Sequence, residues 1–179
     1  MADPDPTGPA WAWRTYREAL LRTPEDCTHR VVIQDDALPV VNLEAAVAAQ
    51  VADCPCRVLV LFVSGQARHT VNDMYTADRE GESFCRLNLR DHFIPAVAVV
   101  WPREFCLPVV EWADKRKWNA NALRSDDAIL REAAHSLGLE VWVTVPSLVD
   151  HVDDVPSVMV GGVRGGKSRR AAVPHPSLR

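Results

Sequence analysis

The run RVLVLFVS, residues 57–64, holds six consecutive apolar residues between an arginine and a serine. It is too short for a buried helix and shows no in–out alternation, so it reads as a central strand covered on both faces. A chain with such a strand must supply packing layers above and below it. Three further stretches have the same character: HRVVI at 29–33, FIPAVAVVW at 93–101 and LEVWVTV at 139–145. Helical patterns fall between them. One runs from Pro9 to about Leu21, with Trp13, Tyr16, Leu20 and Leu21 on one face. Asn42 is placed to cap LEAAVAAQVAD, and Pro102 opens a helix carrying Phe105, Val109, Val110 and Trp112. Ser125 precedes DDAILREAAHSL, which Gly138 stops. Residues 65–82 are polar and read as a long loop, and 115–124 as a polar connection. Alternating strands and helices predict an α/β domain with a mostly parallel central sheet and helices on both faces.

The length of 179 residues suits one domain, and 47% hydrophobic with 25% charged residues is an ordinary globular composition. The expected layout is a flexible leader at 1–8, one domain over 9–160, and a basic, glycine-rich, partly disordered tail at 161–179. A net charge of −4 argues against whole-surface binding to nucleic acid. No apolar run reaches the roughly 18 residues of a membrane span. The acidic, proline-rich start lacks the pattern of a secretory signal, and five cysteines without a disulfide framework suit a reduced, cytoplasmic protein. Cys54-Pro55-Cys56 lacks the second pair that a zinc site needs.

Three acidic clusters sit at element ends. VVIQDDALPV, 31–40, ends a strand in two adjacent carboxylates, Asp35 and Asp36. In open α/β sheets ligands bind beyond the carboxyl ends of strands. Adjacent carboxylates there suit a hard cation, Mg²⁺ or Mn²⁺, that also engages a phosphate; otherwise one of them caps the turn and the other faces water. In Ser125-Asp126-Asp127 the acids stabilise a helix first turn, or one of them acts as a general base. Positions 126, 129, 130 and 133 form one stripe, which turns Asp126 toward the buried face and Asp127 toward solvent. In PSLVDHVDD, 146–154, His151 follows a strand end beside an acid and is a potential nitrogen ligand.

Taken in order, HRVVIQDDALP, SDD at a helix start and VWVTVPSLVDHVDDVPS resemble small glycosyltransferases of the GT-A fold. That group is widespread in bacteriophages and actinobacteria and is similar to the family-2 and family-25 glycosyltransferases. The resemblance covers about residues 11–160. It implies that Gln34, Asp35 and Asp36 stand at the metal- and diphosphate-binding motif, with Asp36 as direct ligand and Asp35 near the sugar or ribose. It further implies that Asp126 or Asp127 is the catalytic base, that His151 completes the shell around Mn²⁺ or Mg²⁺, and that Arg169 contributes to donor binding. The function implied is transfer of a sugar from a nucleotide-diphosphate-sugar donor to an unidentified hydroxyl acceptor, with nucleic acid entering only as a potential acceptor.

One departure from the family pattern is that the fold's first strand, VxVPTxxR-like, has no counterpart ahead of residue 29, so the chain reads as an N-terminally truncated GT-A domain. An uncovered side of the 29–33 strand predicts a homodimer or hetero-complex. The alternatives are a non-catalytic GT-A remnant that serves as a binding or assembly module, and a metal-dependent phosphohydrolase or nuclease.

Overall fold

The computed structural model describes residues 11–88, 90–91, 93–116, 125–152 and 170–178. The apolar run supplies β3 (Val58–Val60), every residue of which is buried. It lies between β5 (Ala98–Pro102), which runs antiparallel to it, and β6 (Val141–Thr144), which runs parallel. β1 (His29–Ile33) pairs antiparallel with the outer side of β5, and β4 (Phe84–Arg86) pairs antiparallel with β6. The order is therefore β1-β5-β3-β6-β4. The short strands β2 (Ala37–Pro39) and β7 (Val149–His151) form a separate antiparallel ribbon.

The α/β class is as expected, but the sheet is mixed. Its only parallel pair among the described residues is β3–β6. A strand buried on both faces is continuously apolar whichever way it runs, so the pattern that locates these strands carries no information about direction.

Two cores sandwich the sheet. Val58, Val60, Val99, Trp101 and Val143 face one layer, made by α1 (Trp11–Leu21), α3 (Arg68–Glu80), α4 (Arg103–Asp114) and α5 (Asp126–Ser136). Leu59, Ala98 and Val100 face the other, where α2 (Leu43–Asp53) contributes Val47 and β7 contributes Val149. This alternation is the period-2 geometry of a strand, with both faces dry. Trp13, Tyr16 and Leu20 anchor α1 as its spacing requires, whereas Leu21 is exposed.

Helix α3 occupies most of the segment that the sequence presents as a loop. Its buried face is a sparse stripe of Thr70, Val71, Met74 and Ala77 in an otherwise polar segment. Its start carries no local signal either, since Ala67 is the N-cap. The missing cap comes from Asp91, whose Oδ2 accepts the Thr70 amide at 2.8 Å and the Thr70 hydroxyl at 2.6 Å. A carboxylate borrowed from 21 residues away satisfies helix amides that no neighbouring side chain reaches. The helix ends at Gly81, whose φ of 74° is the left-handed conformation glycine takes readily.

Residues 170–178, the end of the tail, pack onto the domain. The Ala171 amide donates to Asp150 Oδ1 at 2.7 Å, and the Arg170 Nε donates to Asp150 Oδ2 at 2.6 Å. Backbone bonds from Ala172 to Val63 and from Ser147 to Val173 continue the attachment. Among the described residues no helix is long and apolar enough to cross a membrane.

Asp91→Ala leaves the buried Thr70 amide and hydroxyl without their acceptor. A loss of about 1–3 kcal/mol in denaturant unfolding is expected, with the exchange protection of α3 falling more than that of β3.

Candidate functional site

The QDD turn at the end of β1 divides its three side chains among different neighbours. The Gln34 amide nitrogen of the backbone closes the β1–β5 ladder by donating to Val97 O at 2.8 Å. Its side-chain Nε2 donates to Asp126 Oδ2 at 3.2 Å. Asp35 is exposed and makes no hydrogen bond or ion pair within the described structure. Asp36 turns toward the ribbon, where its Oδ2 lies 3.0 Å from His151 Nε2. The ribbon is what makes this contact, because its register sets Ala37 opposite His151. The Val152 amide also donates to Asp36 O at 3.0 Å.

His151 is 3% exposed and packs beside Phe62, with ring centroids 5.9 Å apart. Its Nδ1 lies 2.7 Å from Val152 O, and a carbonyl can only accept, so Nδ1 carries a hydrogen. Nε2 is thereby left facing the Asp36 carboxylate. That contact is a hydrogen bond when a second proton sits between them, or an open lone pair when none does. Asp36 Oδ1 is buried and has no hydrogen-bond partner.

Asp126 sits in the first turn of α5, where Ser125 has the extended backbone of an N-cap but makes no side-chain cap bond. The Asp126 side chain performs that task, with Oδ1 accepting the Asp127 amide at 3.0 Å. Burial drives its carboxyl above the ordinary value of 3.8, and the bonds from Asp127 and Gln34 offset that only in part. Close by, Trp101 Nε1 donates to Tyr16 Oη at 2.8 Å in the core. Burial pushes the Tyr16 phenol well above 10.0; the Trp101 bond pulls it back, while the charges of Asp126 and Asp127 add to the rise.

Asp126 faces inward with its helical stripe, as its spacing requires, and is 7% exposed. Asp127 does not simply lean into solvent: its Oδ1 accepts the Ala96 amide at 2.7 Å and its carbonyl accepts the Ile94 amide at 3.2 Å. It pins the segment entering β5 to the start of α5. Nothing in the spacing of 125–137 reveals this, because the partner is a loop amide about 30 residues upstream.

Of the expected site residues, Gln34 and Asp126 meet, Asp36 and His151 meet, and Asp35 stands apart from both pairs. Arg169 lies outside the described residues. No group of three or more His, Cys, Asp or Glu among the described residues is arranged to hold a metal ion. A hollow of about 490 Å³ lined by Pro108, Glu111, Trp112, Lys115, Arg116 and Leu137 shares no residue with these pairs. Two roles escape sequence reading, those of Asp91 and Asp150, which hold a helix start and the end of the chain rather than a ligand.

No protein-family model, curated protein or solved structure matches the chain.

Two outcomes follow from this geometry. Asp127→Ala strands the amide of the fully buried Ala96 and should cost about 1–3 kcal/mol by chemical denaturation. For Asp126 the folded state holds its proton more tightly than the unfolded chain does. Its contribution therefore lowers stability as pH rises from about 3.8 through the raised folded value, and is constant above that. Asp126→Asn should remove this decline, visible as a flatter stability–pH curve on the acid side.

Proposed function

We propose that the chain is a glycosyltransferase-type protein that binds a nucleotide-diphosphate sugar through a divalent cation, Mn²⁺ or Mg²⁺, held at Asp36 and His151. The observation that carries this reading is the 3.0 Å contact between Asp36 and His151, beside a buried carboxylate oxygen with no partner. The donor set fits such an ion in three respects. Two adjacent ligands on a six-coordinate ion with bonds of about 2.1 Å stand roughly 3 Å apart. The hydrogen on Nδ1 is fixed by Val152 O, which leaves Nε2 as the coordinating nitrogen, the usual arrangement behind a metal-bound histidine. A two-residue set also leaves positions for water and phosphate oxygens, as Mg²⁺ sites do.

Held by Asp36 and His151, a cation would neutralise negative charge on a departing diphosphate. The remaining work falls to the chain's own side chains. Asp126 is the group suited to accept the proton of an acceptor hydroxyl, because burial raises its affinity for a proton and Gln34 fixes the orientation of Oδ2. Asp126 is bonded to Gln34, two residues before Asp36, so both carboxylates border the same turn. Asp35, exposed beside them, is free to meet a sugar or ribose hydroxyl.

The second reading, a non-catalytic binding module of the same type, is favoured by the near-complete burial of Asp126, which leaves an acceptor little access.

Calorimetric titration of Mn²⁺ with UDP- or GDP-sugars separates these readings. Cation-dependent nucleotide binding is expected, and Asp36→Asn or His151→Gln should weaken it at least tenfold while the circular dichroism spectrum is retained. Binding that both variants leave unchanged would remove the site. Turnover that rises with pH through the raised Asp126 value, and is lost at every pH in Asp126→Asn, marks the enzyme; binding without turnover marks the module.

A further inference from the structure

Asp150 is 2% exposed and precedes His151 in β7, and its carboxylate is shared between two distant parts of the chain. Oδ1 accepts the His151 amide at 2.8 Å and the Ala171 amide at 2.7 Å. Oδ2 accepts Arg170 Nε at 2.6 Å, and Nη2 of the same guanidinium pairs with it. The His151 amide needs an acceptor of this kind. The Val40 amide donates to Leu148 O and the Val152 amide to Asp36 O, which turns the backbone of 148, 150 and 152 toward β2 and the His151 N–H away from it. A ribbon of two three-residue strands is also too short to hold its own shape. Leu61 O ties down the approach to β7, through the Leu148 and Val149 amides, and the Asp150 carboxylate ties down its end.

We propose that Arg170 and Asp150 position His151 for the cation it shares with Asp36, so that the end of the chain is a working part of the site. The inference rests on the reading of Asp36 and His151 as cation ligands. Arg170 acts through Asp150 and not on the ion. A buried carboxylate is stable as a charge only beside a cation of its own. With the guanidinium in place, Oδ1 stays on the His151 amide while the ring keeps Nδ1 on Val152 O and Nε2 at Asp36. Without it the carboxylate gains by turning toward water. Oδ1 then leaves both amides, and the His151 peptide is free to rotate. Loss of the outer partners that orient a metal ligand typically weakens metal binding about 10–100-fold. Other bonds attach the same segment without passing through Asp150: Tyr75 Oη donates to Ala172 O at 3.2 Å, and the Ala172 amide to Val63 O at 2.8 Å. They allow attachment of the segment to be separated from positioning of the histidine.

Two measurements on the full chain test this: imidazole ring NMR signals at fixed pH without added metal, and calorimetric titration with Mn²⁺. Arg170→Ala should shift the His151 ring signals, identified by their absence from His151→Gln, and weaken Mn²⁺ binding about tenfold or more. Arg170→Lys keeps the positive charge and should restore both in large part. Tyr75→Phe removes a contact that bypasses Asp150 and should alter neither. Arg170→Gln, which keeps a donor but no charge, should behave as Arg170→Ala and decides the matter if that variant fails to fold. Unchanged ring signals overturn the proposal whatever the Mn²⁺ affinity, as does an equal effect of Tyr75→Phe. A wild-type chain that binds no Mn²⁺ overturns the cation reading instead, and the ring signals alone then decide whether Arg170 positions His151.

Discussion

The Gln34 amide bonded to Val97 O and the Arg103 amide bonded to Thr28 O close the two ends of the ladder between β1 and β5. Because the strands are antiparallel, the segment entering β5 lies beside the end of β1. Ile94 and Ala96, in that segment, then hold Asp127 and with it the first turn of α5. This chain of contacts brings Asp126 within reach of Gln34. Were β5 parallel to β1, the segment before it would lie at the opposite end of the sheet, and α5 would begin far from the QDD turn. The fully buried β5 thus does more than fill the centre of the sheet, since its direction decides which polar residues meet.

The strand positions were legible in the sequence because burial on both faces leaves long apolar runs. The residues of β1, β3, β5 and β6 fall inside the stretches that pattern picks out, except Pro102, which ends β5. Direction was not legible, for the reason that a dry strand is apolar either way. Helix α3 was hidden because Thr70 and Ala77, half of its buried stripe, register weakly as hydrophobic, and because its cap, Asp91, comes from a distant loop. Asp126 could be placed from its helical stripe alone, whereas the partner of Asp127 could not. Helical period describes one face of one element, and Ala96 belongs to a different part of the chain.

The meeting of Asp36 with His151 was foreshadowed by a motif, but its cause is the ribbon. β2 and β7 lie more than 100 positions apart and join in a register that no local pattern sets. Leu61 helps to fix it, since its carbonyl receives the amides of both Leu148 and Val149, tying the approach to β7 to the end of the central strand. The most continuous apolar run in the sequence therefore positions the histidine as well as the sheet.

The two carboxylates beside the turn are treated differently by their surroundings. Asp126 is nearly buried, yet it receives neutral donors on both oxygens and sits at a helix start, where the backbone dipole favours negative charge. That arrangement is complete, and it lowers the cost of burial without a cation. Asp36 has one oxygen against an imidazole and another buried with nothing to accept from. An unsatisfied acceptor in the interior costs about 1–3 kcal/mol. Gln34 and Asp126 close on one another, whereas Asp36 keeps a buried oxygen over, a deficit of the kind that a cation or a donor group from a ligand removes.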